Sequence, residues 1–320
     1  YLKLSSRNML FPQLFSDSIQ EADPEGIVSD KYAILHWQGG DEEMESSFKS
    51  NVDVIMAWGG EEMVRSYQEN LPLGTKLIEF GPKISFQVVT SGSLAENSYE
   101  DLGRAIARDL ILWDQSACAS PQNIFYDGEI DLPQLMSAVE VGLQKSELKR
   151  GSLSGDEHVE MKKGLARAKF TRHIEGKEAR WGTDYLLWEN DTPGLMVSPL
   201  NRSLIFKPFS DLSDLCAQIK GARFYLQSCG LACGVAEEET FRHNLGAAGV
   251  TRFSRLGRML HGQTGAPHDG GFPLSQLVRL VSDEDPNDFV SFVNRAIRDV
   301  PFYRELRDGR PIQTLEEMPF

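Results

Sequence analysis

The run VDVIMAWGGEEMVRSYQEN, Val52 to Asn70, reads as a strand, a glycine turn and a helix in that order. Val52 to Trp58 is β-rich, and Glu61 to Asn70 has the three-to-four spacing of an amphipathic helix. Gly59 and Gly60 between them allow a phosphate to approach the backbone at a helix N-terminus. Outward from this unit, Tyr1 to Leu4, Tyr32 to Trp37 and Ile84 to Thr90 are further strand candidates, and Tyr99 to Trp113 has helical spacing. Such alternation predicts an α/β fold, a parallel sheet covered by crossover helices.

After a β-rich run at Asn123 to Tyr126, Glu147 to Glu178 is dense in Lys, Glu, Gly and His and reads as a solvated helix pair or an insertion. Alternation resumes from Tyr185 through Arg202 to Pro208, Leu212 to Ile219, Arg223 to Leu226 and Gly249 to Phe253, which predicts a second α/β lobe. Asp283 to Asp288, DEDPND, is an acidic break of the kind that separates domains. FVNRAIRDVPFYREL follows it, a helical stretch with no evident partner in the remaining residues. The expected divisions are therefore 1–112, 113–282 and 283–320.

The 320 residues carry 33 Lys plus Arg against 47 Asp plus Glu, a formal net charge of −14. That charge repels phosphate backbones, and no basic stripe interleaved with aromatics offsets it, so nucleic acid is not expected as a partner. The longest unbroken apolar run, Val54 to Trp58, is far below the roughly 18 residues that a membrane span needs. Four cysteines are too few for a disulfide scaffold and no secretory pattern is visible, so a cytoplasmic location is expected. The chain opens on Tyr1 and runs straight into a strand candidate, and both ends are expected to continue in a longer polypeptide.

One cysteine stands where chemistry is plausible. Cys118 lies in WDQSACASPQ, Trp113 to Gln122, after a long helical run and before a β-rich one. Small neighbours leave room for a carbonyl, and local N–H groups can aim at the oxyanion that forms on attack. The preceding helix does not activate the thiol, because its C-terminal end is the negative pole of the dipole.

This run resembles the nucleophile element of the aldehyde dehydrogenase superfamily. Tyr1-Leu2-Lys3-Leu4-Ser5-Ser6 is similar to the superfamily's Lys-Pro-Ser strand end, and His36-Trp37-Gln38-Gly39-Gly40 to the next strand's glycine turn. Ala57-Trp58-Gly59-Gly60 resembles the turn that meets the dinucleotide pyrophosphate, and Ile78-Glu79-Phe80-Gly81-Pro82-Lys83 the Glu-Leu-Gly-Gly-Lys element. Within the superfamily the likeness is to the LuxC-like long-chain acyl-CoA reductases of bacterial luminescence. It is carried by His36 to Asp41, Trp58 to Glu62, Asp114 to Pro121, Tyr225 to Leu231, Gly249 to Arg252, Leu256 to Met259 and His268 to Gly270, over roughly residues 1–282.

The resemblance implies an incomplete dinucleotide-binding lobe beside a catalytic lobe, and reduction of a long-chain fatty acyl thioester, acyl-CoA or acyl-protein, to the aldehyde through an acyl group on Cys118. Lys3, Ser6, Arg7, Gly39, Trp58, Gly59, Gly60 and Phe206 become the expected cofactor contacts. Ser6, followed by Arg7, stands where NAD-preferring relatives often have Glu, which favours NADPH. Leu204-Ile205-Phe206-Lys207-Pro208 is similar to the Glu-Ile-Phe-Gly-Pro element, with Leu204 in place of its ribose-binding acid. The superfamily's oxyanion-donating Asn precedes the strand that starts this chain. Glu79 aligns with the general base of aldehyde-oxidising members, which leaves oxidative aldehyde dehydrogenation open, as does a non-redox module that accepts acyl groups on Cys118. Relatives of this fold assemble as dimers or tetramers, so a homo-oligomer is expected. Asn294 to Arg304 resembles the opening of adenylating domains of the acyl-protein synthetases, which implies a synthetase partner or a fused acyl-activating domain.

Two further clusters invite chemistry. Cys229 and Cys233 with Cys216 and His243 suggest zinc, yet structural zinc prefers paired Cys-x-x-Cys spacing, so no metal is expected. His268 and Asp269, in a glycine-rich loop, can polarise a reacting group or simply satisfy a turn.

Overall fold

A computed structural model describes residues 2–3, 10–279, 286–300, 304 and 308–313. The chain divides into two units, Tyr1–Pro273 and Leu274–Phe320. The first opens with β1 (Leu2–Lys3), α1 (Leu10–Ala22), β2 (Ile34–Leu35), α2 (Glu42–Ser50), β3 (Val54–Trp58), α3 (Glu61–Gln68), β4 (Lys76–Phe80), β5 (Ile84–Val89) and α4 (Tyr99–Ile111). It continues with β6 (Pro121–Asp127), α5 (Leu132–Gln144), α6 (Gly155–His173), β7 (Ala179–Trp181), β8 (Leu186–Glu189), β9 (Ser203–Phe209), α7 (Leu212–Lys220), β10 (Leu226–Ala232), α8 (Glu238–Ala248) and β11 (Arg252–Arg255). In the second unit lies α9 (Pro286–Asp299).

Seven strands form one sheet in the order β11-β10-β5-β6-β9-β8-β7, parallel throughout except that β7 runs antiparallel to β8. All six residues of β5 are buried, as expected of a central parallel strand covered on both faces. Alternation along β6 divides the core. Ile124 and Tyr126 pack with Ile106, Leu110, Leu135 and Val139 of α4 and α5, while Phe125 packs with Phe86, Val88, Leu215 and Leu245 on the other face. Each such side chain contributes about 1.5–3 kcal/mol when fully buried. A reciprocal Ser98–Asp101 capping box starts α4, and Asp131 caps α5, whose buried Leu132, Leu135, Met136, Val139 and Leu143 fall at helical spacing. β1–β2 and β3–β4 are separate two-stranded parallel sheets.

Several expectations meet a different structure. The line drawn at residue 112 is crossed by the sheet, because β5 pairs with both β6 and β10 and α4 packs beside α5. Residues 147–178 hold a single helix, α6, rather than a helix pair. Its small buried face of Gly164, Ala168 and Thr171 seats it on Ala179, Leu186 and Trp188, a face that the surrounding charge conceals in the sequence. Residues 223–226 are not a strand of their own: Tyr225 and Leu226 donate to the Ala222 carbonyl to close a turn, and β10 begins at Leu226. In the second unit α9 does find a partner, since Asn294 brackets the backbone of Ile312, donating to its carbonyl at 2.9 Å and accepting from its N–H at 2.7 Å. Among the described residues, no helix is long and apolar enough to cross a membrane.

Candidate active site

Cys118 follows a tight turn at the end of α4 in which Trp113, Asp114 and Gln115 all have positive φ, 57°, 48° and 64°. Left-handed backbone costs about 1–2 kcal/mol per non-glycine residue, so something must hold the turn. Leu200, Asn201 and Arg202 form a second left-handed run, and the two runs are clamped together. Arg202, almost wholly buried, meets the Asp114 carboxylate at 2.7 Å, Gly151 N–H donates to the same carboxylate at 2.8 Å, and Asn201 N–H donates to the Asp114 carbonyl at 3.2 Å. The Gln115 amide donates to the carbonyls of Pro121 and Ser203 and accepts from Ser203 N–H, which ties the turn to β6 and β9. Beyond the turn the Cys118 carbonyl accepts from Ser85 Oγ on β5 at 2.7 Å.

The Cys118 side chain is exposed and sits where two cavities meet. One, of about 340 Å³, is lined by Trp58, Gly59, Phe80 and Gly81 among others; the second, of about 260 Å³, by Arg252, Met259, Leu260 and Ala266. Ala117, Cys118, Gln227, His268 and Asp269 line both. Trp58 stacks on Phe80 at 4.4 Å between centroids, and His268 meets the Phe80 ring edge-on at 5.0 Å. The other three cysteines are less exposed, Cys229 buried and Cys216 and Cys233 half-buried. Burial pushes the thiols of Cys216 and Cys229 up, and Cys233 is pushed up to about 12 by burial together with Glu237 and Glu238. Among the described residues, no group of three or more His, Cys, Asp or Glu is placed to hold a metal ion.

The segment that walls the second cavity is pinned from two sides. Asp109 of α4 accepts from the N–H groups of Gly257 and Met259 at 2.7 and 3.0 Å, and from Gln87 at 2.9 Å. Burial pushes the Asp109 carboxyl up to about 6, against the pull of those donors. Arg252 of β11 donates to the carbonyls of Met259 and His261 at 2.6 and 2.8 Å. Gln227 of β10, itself buried, donates from Nε2 to Cys118 Sγ at 3.3 Å and to Asp269 Oδ1 at 2.6 Å.

The cavities thus bring together Cys118, Trp58 and Gly59 of the expected site, with His268 and Asp269. Gly60 follows as the N-cap of α3; no side chain caps the helix there, and a Cβ at Gly60 would meet nothing within 4 Å. Two acids lie in the first turn of α3, Glu61 and Glu62, and Glu61 is answered by Arg65. This open N-terminus fits a dinucleotide phosphate. Glu79 is exposed on β4, hydrogen-bonded to Gln68, and is not among the residues lining either cavity. Phe206 is fully buried against α4 and α5 and has no surface to offer a cofactor. Its neighbour Lys207 is buried too, pushed down to about 8 by desolvation, and donates to the Thr192 carbonyl at 2.6 Å. Gly39 is exposed in the loop before α2, and Lys3 Nζ lies 5.4 Å from the Trp37 ring centroid. Ser6 and Arg7 lie outside the described residues. Gln227, Arg202 and Asp109 were not singled out from the sequence; their only signal is a polar residue inside an otherwise buried run.

A profile of the acyl-CoA reductase (LuxC) family matches residues 1–280. The chain belongs to that family. It is 26% identical over 296 residues to a long-chain acyl-protein thioester reductase of Aliivibrio fischeri, covering 91% of this chain and 59% of that protein. A Vibrio harveyi protein of the same description is 24% identical over 295 residues, again with 91% and 59% covered. This LuxC-family chain therefore spans about three fifths of the length of these relatives. The fold is that of the aldehyde dehydrogenases. Glyceraldehyde-3-phosphate dehydrogenase GapN of Methanocaldococcus jannaschii, solved with NADP, superposes with a TM-score of 0.62 at 14% identity, covering 83% of this chain and 59% of that one.

Proposed function

We propose that this chain carries the nucleophile of an NADPH-dependent reductase that converts a long-chain fatty acyl thioester, acyl-CoA or acyl-protein, to the fatty aldehyde. One observation carries the reading: an exposed Cys118 stands between two cavities, with the glycine turn at Trp58 to Gly60 beside one of them. A nucleophile fed from two sides suits a reaction in which acyl donor and reductant must meet at one atom without colliding.

Cys118 Sγ adds to the thioester carbonyl carbon, the donor's carbon–sulfur bond breaks, and the donor leaves as a thiol after taking a proton. A nicotinamide, when bound, would supply the hydride that the carbonyl carbon of the resulting acyl-enzyme needs. Collapse then breaks the bond to Cys118 and releases the aldehyde. Gly59 and Gly60, at the open start of α3, would hold the pyrophosphate, with the exposed Trp58 as a further contact. The cations at Lys3 and Arg7 favour a 2′-phosphate. Water activation by Glu79 is not favoured, because its carboxylate is engaged by Gln68 and hydrolysis of the acyl-enzyme would waste the substrate. An acyl-protein synthetase, as separate partner or as a fused domain behind residue 283, would supply the acyl group, and the enzyme is proposed to act as a homo-oligomer in the cytoplasm.

The test is incubation of the full-length native protein with radiolabelled long-chain acyl-CoA, followed by NADPH. Label on Cys118 that NADPH discharges as aldehyde is expected, with none on Cys118→Ala. Equal labelling and turnover by Cys118→Ala would overturn the reading, and stable labelling without discharge would replace it with an acyl-accepting module.

A further inference from the structure

The amide that touches the sulfur bears on how the charge of addition is met. Gln227 is fixed on β10, which pairs with β5 on one side and β11 on the other, and the residue is buried, 5% exposed. Its Nε2 carries two hydrogens. One is taken by Asp269 Oδ1 at 2.6 Å; the nitrogen also lies 3.3 Å from Cys118 Sγ. A carboxylate only accepts, so Asp269 settles which end of the amide faces the nucleophile: the N–H end, never the carbonyl. Asp269 is held in turn, at φ 50° in a tight turn closed by reciprocal bonds between His268 and Gly271. His268 Nε2 lies 3.7 Å from the other Asp269 oxygen. The cations lining the two cavities are engaged elsewhere, Arg252 with the carbonyls of Met259 and His261 and Lys83 with that of Phe224.

When Sγ bonds the carbonyl carbon, the carbonyl electron pair moves onto an oxygen one bond beyond that carbon. A donor resting on the sulfur is then within reach of the oxygen, where donors act at about 2.7–3.1 Å. We propose that Gln227 is a catalytic donor to this oxyanion and that Asp269 is the positioning residue that aims it. The inference rests on the functional reading above. The same N–H serves twice: in acyl transfer, until the pair returns and the donor's carbon–sulfur bond breaks, and again after hydride arrives, until the bond to Cys118 breaks.

The experiment uses the full-length protein and compares two reactions of Cys118. Acyl transfer from radiolabelled long-chain acyl-CoA passes through an oxyanion; alkylation by iodoacetamide, read by peptide mass spectrometry, does not. Gln227→Leu is expected to slow acyl transfer about 100-fold at saturating acyl-CoA while alkylation keeps its wild-type rate. Gln227→Met, of similar length with neither N–H nor charge, should show the same split and decides the matter if the Leu variant does not fold. Asp269→Asn, which weakens the anchor without removing the donor, should slow acyl transfer about tenfold. Acyl transfer at the wild-type rate, or a parallel loss of both reactions, would show that Gln227 only props the cavity wall. Failure of the functional reading looks different: the wild-type protein itself would take no acyl label on Cys118, and this inference would fall with it.

Discussion

Two sheets flank Cys118 and are built to different standards. The seven-stranded sheet buries residues on both faces, with α4 and α5 on one side and α7 and α8 on the other. The β3–β4 pair has a small cluster of its own, Ile55, Ala57 and Tyr67, with partly buried neighbours such as Phe48, Met63 and Leu77. Cys118, the proposed nucleophile, belongs to the first and the glycine turn to the second. A reacting sulfur must be held within a fraction of an ångström, whereas a turn that admits a dinucleotide needs open backbone more than rigidity. On the proposed function, the heavy layer positions and the light one admits.

The hardest blow to this contrast falls on the clamp behind Cys118. Arg202→Ala leaves Asp114 without its buried partner and frees two left-handed turns, so a loss of about 3–5 kcal/mol is expected in urea unfolding. Acyl labelling of Cys118 should fall with it. An unchanged unfolding midpoint would mean that the turn needs no clamp.

Asp109 gives a smaller, pH-dependent effect. Its carboxyl is raised from the ordinary 3.8 to about 6 in the folded chain. The native state therefore binds the proton more tightly, and this group's stabilisation is complete below about 3.8 and lost as pH rises through about 6. The difference is about 3 kcal/mol. Asp109→Asn should remove that slope in unfolding measured from pH 4 to 7. It should also loosen the segment at Gly257 to Met259, because an amide cannot accept on both of its ends. A variant with the wild-type slope would place the titration elsewhere.

On the light side the effect on stability is smallest. Gly60 has φ −67° and open space around its missing Cβ, so Gly60→Ala should change stability by less than about 1 kcal/mol. NADPH affinity, followed by quenching of tryptophan fluorescence, should nonetheless weaken roughly tenfold as the methyl group fills the phosphate's place. Unaltered affinity would move the cofactor away from this turn.

The strand-turn-helix at Val52 to Asn70, the strand at Ile84 and the choice of Cys118 as the candidate nucleophile were legible in the residue order, because each rests on local periodicity or on the chemistry of one side chain. Only the tertiary structure decided the rest. It joined β5 and α4 to the sheet beyond residue 112, sealed Phe206 in the core, left Glu79 outside both cavities and set Gln227 against the sulfur. The reason lies in sequence separation. Gln227 is 109 positions from Cys118 and Arg202 is 88 from Asp114, and such pairs meet only through the pairing order of the strands that carry them.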